Sequence, residues 1–251
     1  GACLSNKEPE EPKLEELFFE RKADLERIKK YIEKFNIVTI NGDLGTGKTL
    51  LMKHLKRQLN SEYYVIHIST LTSNVDDVAR FLMDEMDALI KNEGIFTFAS
   101  LSLRRIFTSV PETDFISRFF FDPNLTQTKA LEEFRRDTAK LSKKVIIVVE
   151  DIDRLPDWQQ INKLISITDF FANNSENIKV VYECNVENIR SISLSREEKS
   201  CCTEKNYIEK YLPNQGNLTS LSFLDIVENL FRVNKEDYTK IEIDDIRRVL
   251  N

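Results

Sequence analysis

The sequence predicts an α/β fold in which a parallel sheet of about five strands carries helices on both faces. Strand-type runs alternate with segments of helical apolar spacing, which is typical of parallel sheets with crossover helices on each face. A glycine-rich stretch, Gly42 to Thr49, stands between a strand and a helix, and a later apolar run, Val145 to Val149, ends in acids. We therefore expect both polar stretches at the carboxyl edge of one sheet.

Length and composition are ordinary for a soluble protein. The chain has 251 residues, 41% hydrophobic and 31% charged, enough for one large core and a small appendage. A formal net charge of −6 disfavours nucleic acid as a partner. The longest apolar run, Val145 to Val149, is far shorter than the roughly 20 residues that span a bilayer. We expect no membrane span and a cytoplasmic location, either free or as the cytosolic part of a membrane-associated protein.

The first half of the predicted core contains two strands, each followed by a helix. Apolar residues three and four apart predict a helix that leads into the first strand. Ser73 and Asp76 resemble a capping box and predict the start of the helix after the second strand. In chain order, the elements are helix 14–35, strand 37–40, helix 50–59, strand 63–68 and a helix from 73 to about 89.

The second half is less regular. Residues 92–125 are rich in phenylalanine without clean periodicity, so we treat them as an insertion with short helices before the acid-ended strand. Helices are predicted over 126–141, 156–171, 207–212, 222–231 and 244–250, strands over 178–184 and 218–223, and a loop over 191–206. The predicted organisation is a flexible segment 1–13, a core 14–215 and a C-terminal part 216–251 that begins a lid or following domain.

The stretch Gly42 to Thr49 reads GDLGTGKT, which matches the phosphate-binding P-loop pattern. Its glycines allow turns in which successive N–H groups face one anion, and the helix N-terminus adds positive charge. Lys48 would hold the β- and γ-phosphates, and the Thr49 hydroxyl would complete a Mg²⁺ shell. The sequence therefore predicts a nucleotide site. Its expected contacts are Gly42, Asp43, Leu44, Gly45, Thr46, Gly47, Lys48, Thr49 and Leu50.

The strand of Val145 to Val149 continues into the acidic string Glu150-Asp151-Ile152-Asp153. An apolar strand that ends in acids, downstream of a P-loop, is typical of a Walker B element. One acid would bind Mg²⁺, mostly through water, and another would polarise the attacking water. Glu150 and Asp151 point in opposite directions because strand residues alternate, which leaves the two roles open. The alternative is a solvated acidic loop after a core strand.

The string VVEDIDRL, together with the P-loop, resembles the KAP-type P-loop NTPases and their YobI-like relatives, whose Walker B strand ends in a DDxDR-like string. The resemblance implies an ASCE-type core related to STAND and AAA+ ATPases. It also implies Glu150 as the metal-side acid, Asp151 as the catalytic acid and Asp153-Arg154 as the signature pair. FFERKADLERI (18–28) is similar to the helix before the P-loop in such ATPases, and YIEKYL (207–212) to the string after their fourth strand.

The chain departs from the KAP pattern in three places. Glu150 replaces the usual aspartate and reaches one methylene further, which would reposition the metal. Arg21-Lys22 stands where an Arg-Glu pair is common. KAP proteins often carry membrane helices between the two Walker elements, whereas residues 92–144 contain no stretch that is apolar enough. A soluble relative or an excerpt of a longer protein fits this pattern.

Asn185 directly follows the fourth strand, in the sensor position of AAA+-like folds, where a polar side chain can align the attacking water. A helix cap or turn residue is the alternative. The base is predicted to be adenine, because the nearest match to the NKxD string of GTPases, residues 162–165, lacks the aspartate. We therefore expect ATP and Mg²⁺ as cofactors, with Asp151, Lys48 and Asn185 in catalysis.

Three functions fit these motifs. The first is an ATPase whose Mg-dependent hydrolysis is coupled to assembly or signalling. The second is a nucleotide-gated interaction module with negligible hydrolysis of its own. The third is a DNA-associated initiator or transposition ATPase of the AAA+ type, which the negative charge and the lack of a DNA-reading motif disfavour. Besides the nucleotide, a homo-oligomer or a protein partner is expected.

Overall fold

The computed structural model describes residues 21–43, 46–95, 125–194 and 212–218. Within these ranges, five strands form one sheet in the order β2-β3-β4-β1-β5, and all neighbouring strands are parallel. The strands are β1 (Ile37–Asn41), β2 (Tyr63–Ser69), β3 (Lys144–Glu150), β4 (Ile178–Cys184) and β5 (Gln215–Asn217). The predicted α/β class with a five-stranded parallel sheet is confirmed.

Helices connect these strands and cover both faces of the sheet. They are α1 (Lys22–Lys34), α2 (Lys48–Glu62), α3 (Val75–Asn92), α4 (Leu125–Thr138), α5 (Trp158–Asn173) and α6 (Val186–Leu194), with a 3₁₀ turn at Ile152–Arg154. Throughout the described ranges, no helix combines the length and hydropathy that a bilayer crossing needs.

Strand alternation divides the core between the two faces of the sheet. In β3, Ile146 and Val148 pack with α1 and α2. Val145, Ile147 and Val149 pack on the opposite face with α3, α4, α5 and α6. All five side chains are fully buried, which is typical of a central parallel strand. The same alternation determines the face of the sheet on which the side chains of Glu150 in β3 and Glu183 in β4 lie.

One helix cap and one loop differ from the sequence prediction. The N-cap of α3 is Asn74 rather than Ser73, and its side-chain oxygen accepts a hydrogen bond from Asp76 N at 3.1 Å. Residues 191–194, predicted as loop, are the end of α6. The polar composition of this segment concealed α6, whose buried side is short and rests on Val186 and Ile189.

The fifth strand, β5, lies just before the predicted strand 218–223, of which only residue 218 is among the described residues. β5 pairs with Thr39–Asn41 of β1, and the N–H of Leu218, just past the strand, donates to Asn41 O at 2.7 Å. The sequence Gln-Gly-Asn lacks the β-branched and aromatic residues that indicate strands, so only its pairing with β1 reveals it. This strand straddles the predicted domain boundary at 215/216. The predicted segment 1–13 lies outside the described residues, and so do residues 96–124 of the predicted insertion 92–125. The same holds for residues 195–211 of the predicted loop 191–206 and helix 207–212, and for residues 219–251 of the predicted C-terminal part.

A buried polar contact joins α5 to β4 on the face opposite α2. The fully buried Tyr182 hydroxyl donates to Asp169 Oδ1 at 2.6 Å and lies 2.6 Å from Thr168 Oγ1. Burial raises the pKa of Asp169 to about 6, although the hydrogen bond from Tyr182 lowers it in part. The Asp169 carboxyl therefore binds its proton more tightly in the folded chain than in the unfolded chain.

Asp169→Asn should change how stability depends on pH. The pKa of Asp169 in the folded chain lies above the unfolded value of 3.8. Proton binding by Asp169 therefore stabilises the fold fully below pH 3.8, and this stabilisation is lost as the pH rises through about 6. Between about pH 4 and pH 7, the wild type should lose roughly 2–3 kcal/mol of unfolding free energy relative to Asp169→Asn. Urea unfolding of both proteins at the two pH values measures this difference. Parallel pH dependences would contradict the prediction.

Candidate functional site

A cavity of about 500 Å³ opens at the carboxyl edge of the sheet, where β1, β3 and β4 end. Its walls come from the P-loop with the start of α2, from the segment after β3, and from the end of β4 with the start of α6. The lining residues are Asp43, Gly47, Lys48, Thr49, Asp151, Asp153, Arg154, Glu183, Asn185 and Asn188. The structure thus brings residues of both predicted motifs into one cavity.

Close packing at Gly42 and a left-handed backbone at Gly47 explain the described glycines of the P-loop. The Gly42 N–H donates to Cys184 O of β4 at 3.2 Å, and a Cβ added at Gly42 would lie 2.7 Å from Thr46 Oγ1. Gly47 precedes α2 with a φ of 81°, a left-handed conformation that favours glycine. The loop therefore follows the end of β4 closely before α2 begins.

Arg21, directly before α1, supports the P-loop backbone. Its buried guanidinium donates to Thr46 O at 2.5 Å and to the Asp24 carboxylate at 2.8 Å. Asp24 also accepts from Arg27, whose guanidinium donates to Asn217 O of β5 at 2.7 Å. These contacts connect the P-loop to α1 and to the edge strand, a role that the sequence did not predict for Arg21.

The Lys48 ammonium is held by carbonyl groups of its own loop. It donates to Gly42 O at 2.6 Å and to Asp43 O at 3.0 Å, and it lies 4.0 Å from Glu183 Oε1. Lys48 is also the first residue of α2, where the helix dipole contributes partial positive charge. This end of the cavity is therefore suited to an anion.

Asp151 turns the chain out of β3. It has a left-handed φ of 58° and is followed by the 3₁₀ turn. Its N–H donates to Glu183 Oε2 at 3.0 Å, and its carboxylate pairs with Arg154 Nε at 2.8 Å. Because the backbone leaves the strand here, alternation no longer determines the direction of the side chain, and Asp151 lines the cavity.

Glu150 does not line the cavity. It lies on the same face of β3 as Val148, toward α2. There its carboxylate contacts Lys56 Nζ at 2.5 Å and His67 Nε2 at 2.7 Å. Burial raises the pKa of the Glu150 carboxyl, but the hydrogen bonds from His67 and Lys56 outweigh it and the net pKa is lowered. The expected metal-side acid is therefore not among the residues that line the cavity with Thr49, and its carboxylate is paired with Lys56 of α2 and His67 of β2.

Asn185 directly precedes α6 and lines the cavity. Its side-chain oxygen accepts from the N–H groups of Glu187 at 2.9 Å and Asn188 at 3.2 Å, which caps the helix. Its Nδ2 donates to Asp43 Oδ1 at 3.1 Å and so faces the P-loop. The cap expected as the alternative is present, and the sensor role stays a prediction.

The other expected nucleotide contacts are placed as follows. Thr49 and Asp43 line the cavity, whereas Thr46 is buried beside it and Leu50 packs with the α1 and α2 core. Leu44 and Gly45 lie outside the described residues.

Besides Asn188, the sequence prediction missed one cavity residue, Glu183. It is only 4% exposed, in a strand that is buried along its whole length. Burial raises the pKa of the Glu183 carboxyl, and the hydrogen bond from the Asp151 N–H offsets part of this effect. A signal was available, because an acid stands near the carboxyl end of a buried strand, two positions before Asn185. The other residues of β4 are mostly apolar, so the pattern as a whole predicts a core strand and not a site.

The donors in the cavity fit a nucleotide-bound Mg²⁺. Among the described residues, no group of three or more His, Cys, Asp or Glu side chains could hold a metal by itself. Mg²⁺ that binds with a nucleotide needs only one or two protein ligands, because phosphate and water oxygens complete its octahedral shell. The Thr49 hydroxyl and the Asp151 and Asp153 carboxylates are oxygen donors of this kind.

A glycine-rich loop between β1 and a helix N-terminus, in a parallel sheet where β4 separates β1 from the acid-ended β3, defines the P-loop NTPase fold. Residues 33–183 match a family model described as an AAA domain, and the chain belongs to this family. No curated protein matches the chain.

Solved structures resemble this fold at low sequence identity. A Walker-type ATPase of Pyrococcus abyssi is 13% identical with a TM-score of 0.45, covering 90% of this chain and 61% of that one. A DNA replication initiation factor is 14% identical with a TM-score of 0.42, covering 89% and 54%. The ORC1 protein of Aeropyrum pernix, in complex with DNA, is 17% identical with a TM-score of 0.43, covering 86% and 49%. This chain thus spans about half to three fifths of their lengths, and likeness at this level does not extend to function.

Gly42→Ala should distort the P-loop, because the added methyl group would meet Thr46 Oγ1 at 2.7 Å and Leu218 Cβ at 3.2 Å. We expect a loss of about 1–3 kcal/mol of unfolding free energy from overpacking. Binding of Mg·ATP should weaken by roughly tenfold, the equivalent of about 1.4 kcal/mol. Thermal unfolding and isothermal titration measure the two effects.

The matched control is Gly94→Ala. Unlike Gly42, Gly94 has a positive φ, of 69°, and a Cβ there would meet no atom within 4 Å. This variant should lose about 1–2 kcal/mol of stability from backbone strain and keep wild-type affinity for Mg·ATP. If both variants bind Mg·ATP equally well, close packing at Gly42 does not shape the site.

Proposed function

We propose that the chain binds Mg·ATP in this cavity and hydrolyses the ATP, which releases the γ-phosphate. The observation that carries the proposal is the meeting of Lys48, at the N-terminus of α2, and Asp151, at the end of β3, with Glu183 between them. A helix N-terminus and an ammonium group attract a triphosphate, and a nearby carboxylate can orient a water molecule. Membership in the AAA domain family supports the same function.

In this proposal, the P-loop amides and Lys48 bind the β- and γ-phosphates. Lys48 exchanges the carbonyl groups of Gly42 and Asp43 for phosphate oxygens, so binding replaces contacts within the loop by contacts to the ligand. We assign the metal side to the Thr49 hydroxyl and the Asp153 carboxylate, in place of Glu150. When bound, Mg²⁺ would neutralise charge on the β- and γ-phosphate oxygens.

Asp151 is assigned to orienting the attacking water, with Asn185 aligning it from the β4 side. Asp151 pairs with Arg154, so this carboxylate must be released, or share its pairing, before it can accept a hydrogen bond from water. Lys48 would stabilise the charge that develops on the γ-phosphate oxygens. These assignments give Lys48, Asp151 and Asn185 roles that single substitutions can test.

The Asp151–Arg154 pair also favours a second candidate function, a nucleotide-gated interaction module. With Asp151 paired at 2.8 Å and Lys48 bound to loop carbonyls, the reactive groups are satisfied within the protein. Hydrolysis would then be slow until a partner moves Arg154, and ATP itself would stabilise one conformation. Four further parts of the proposal rest on the sequence motifs alone. They are coupling to assembly or signalling, a homo-oligomer or protein partner, a cytoplasmic location and placement in the KAP-type subgroup.

Lys48→Ala should lose both nucleotide binding and phosphate release, whereas Asp151→Asn should keep binding and lose phosphate release. With Mg·ATP at about 100 times its Kd, the wild type should gain roughly 2.7 kcal/mol, seen as a melting shift of several degrees. Asp77→Asn is the matched control, because this exposed acid of α3 pairs with Arg80 outside the cavity.

If Mg·ATP does not raise the melting temperature of the wild type, the proposed binding is contradicted. Binding without phosphate release would favour the interaction module. Glu150→Gln separates the two metal assignments, since a loss of Mg²⁺-dependent binding in this variant would restore Glu150 to the metal side.

A further inference from the structure

We propose that Glu183 is a positioning residue that holds Lys48 through its charge and Asp151 through a hydrogen bond. The proposal rests on the proposed function, in which these two residues bind the phosphates and orient the water. One carboxylate would thereby connect the P-loop to the end of the acid-ended strand.

The sheet order places Glu183 between the two motifs. β4 pairs with β1 on one side and with β3 on the other, with Asn41 opposite Cys184 and Val149 opposite Tyr182. The carboxyl ends of the three strands are therefore level. Alternation puts Glu183 on the same face as Val181, which packs with α1 and α2, and hence on the side where α2 and Lys48 begin.

The two oxygens of Glu183 have different partners. Oε1 lies 4.0 Å from Lys48 Nζ, a separation at which charge acts without a direct hydrogen bond. Oε2 accepts from the Asp151 N–H at 3.0 Å. The Glu183 side chain is 5% exposed, so water cannot readily replace either contact.

The hydrogen bond has a specific task, because Asp151 adopts a left-handed backbone. A non-glycine residue keeps such a conformation only when its surroundings support it. Glu183 accepts the Asp151 N–H at this turn and so fixes where the Asp151 side chain starts. The charge has a different effect, since an anion beside Lys48 competes with the phosphates for the ammonium group.

Glu183→Gln should separate these two effects, because the amide oxygen can still accept from Asp151 N while the negative charge is gone. We expect Mg·ATP to bind about three- to tenfold more tightly, as one fewer anion faces the phosphates. Glu183→Ala loses both contacts, and its phosphate release at saturation should fall by roughly tenfold or more although nucleotide still binds.

Hydrogen exchange of the Asp151 amide in the nucleotide-free protein tests the hydrogen bond directly. The exchange should accelerate in Glu183→Ala and stay slow in Glu183→Gln. If Glu183→Ala does not fold, Glu183→Asp, whose shorter side chain withdraws the carboxylate, takes its place. Asp169→Asn is the control, because it removes an acid that contacts the other face of β4 through Tyr182. It should alter stability but neither nucleotide affinity nor exchange at Asp151.

Equal exchange rates at Asp151 in the wild type, Glu183→Gln and Glu183→Ala would overturn the proposal. So would unchanged or weaker Mg·ATP binding by Glu183→Gln. If the wild type binds no Mg·ATP, the proposed function fails, and the exchange measurement alone then decides whether Glu183 positions Asp151. If the wild type binds but releases no phosphate, affinity and exchange together decide it.

Discussion

The parallel pairing of β4 with both β1 and β3 is the constraint on which the site depends. It brings the carboxyl ends of three strands to one level, so the P-loop after β1 and the acids after β3 face each other across a single strand. The apolar cores on both faces hold this order, because the central strands are buried throughout. The chemistry at the edge is therefore positioned by packing far from the edge.

Polar contacts connect Lys48, Glu183, Asp151 and Arg154 of the cavity in one series. Lys48 is bound by loop carbonyls and faces Glu183, while Asp151 is paired with Arg154 and bonded through its N–H to Glu183. Each contact satisfies a polar or charged group that would be costly to leave unpaired. A ligand that enters must replace some of these contacts, so the free energy of binding is a difference between two sets of polar interactions. This property unites the proposed ATPase with its slow, partner-dependent alternative.

Periodicity was enough to predict most of the sheet from the sequence, including β4 with its observed bounds, and the P-loop motif indicated the start of α2. Two features of the site were not predictable in this way. The direction of Glu150 depends on Lys56 and His67, which lie far from it in the chain. Glu183 has meaning only once the sheet order shows which strand separates the motifs. β5 was not predicted, because Gln215, Gly216 and Asn217 are not typical strand residues and form a strand only by pairing with β1.

The central claim is that the crevice between the P-loop and the end of β3 receives the phosphates. Amide chemical shifts during a titration with Mg·ADP test it most directly, because they report the bound face without requiring turnover. The largest changes should occur at Gly47, Lys48 and Thr49, with smaller changes at Asp151. Changes concentrated instead around Arg135 and Asn174, which line a separate cavity between α4 and the turn before β4, would contradict it.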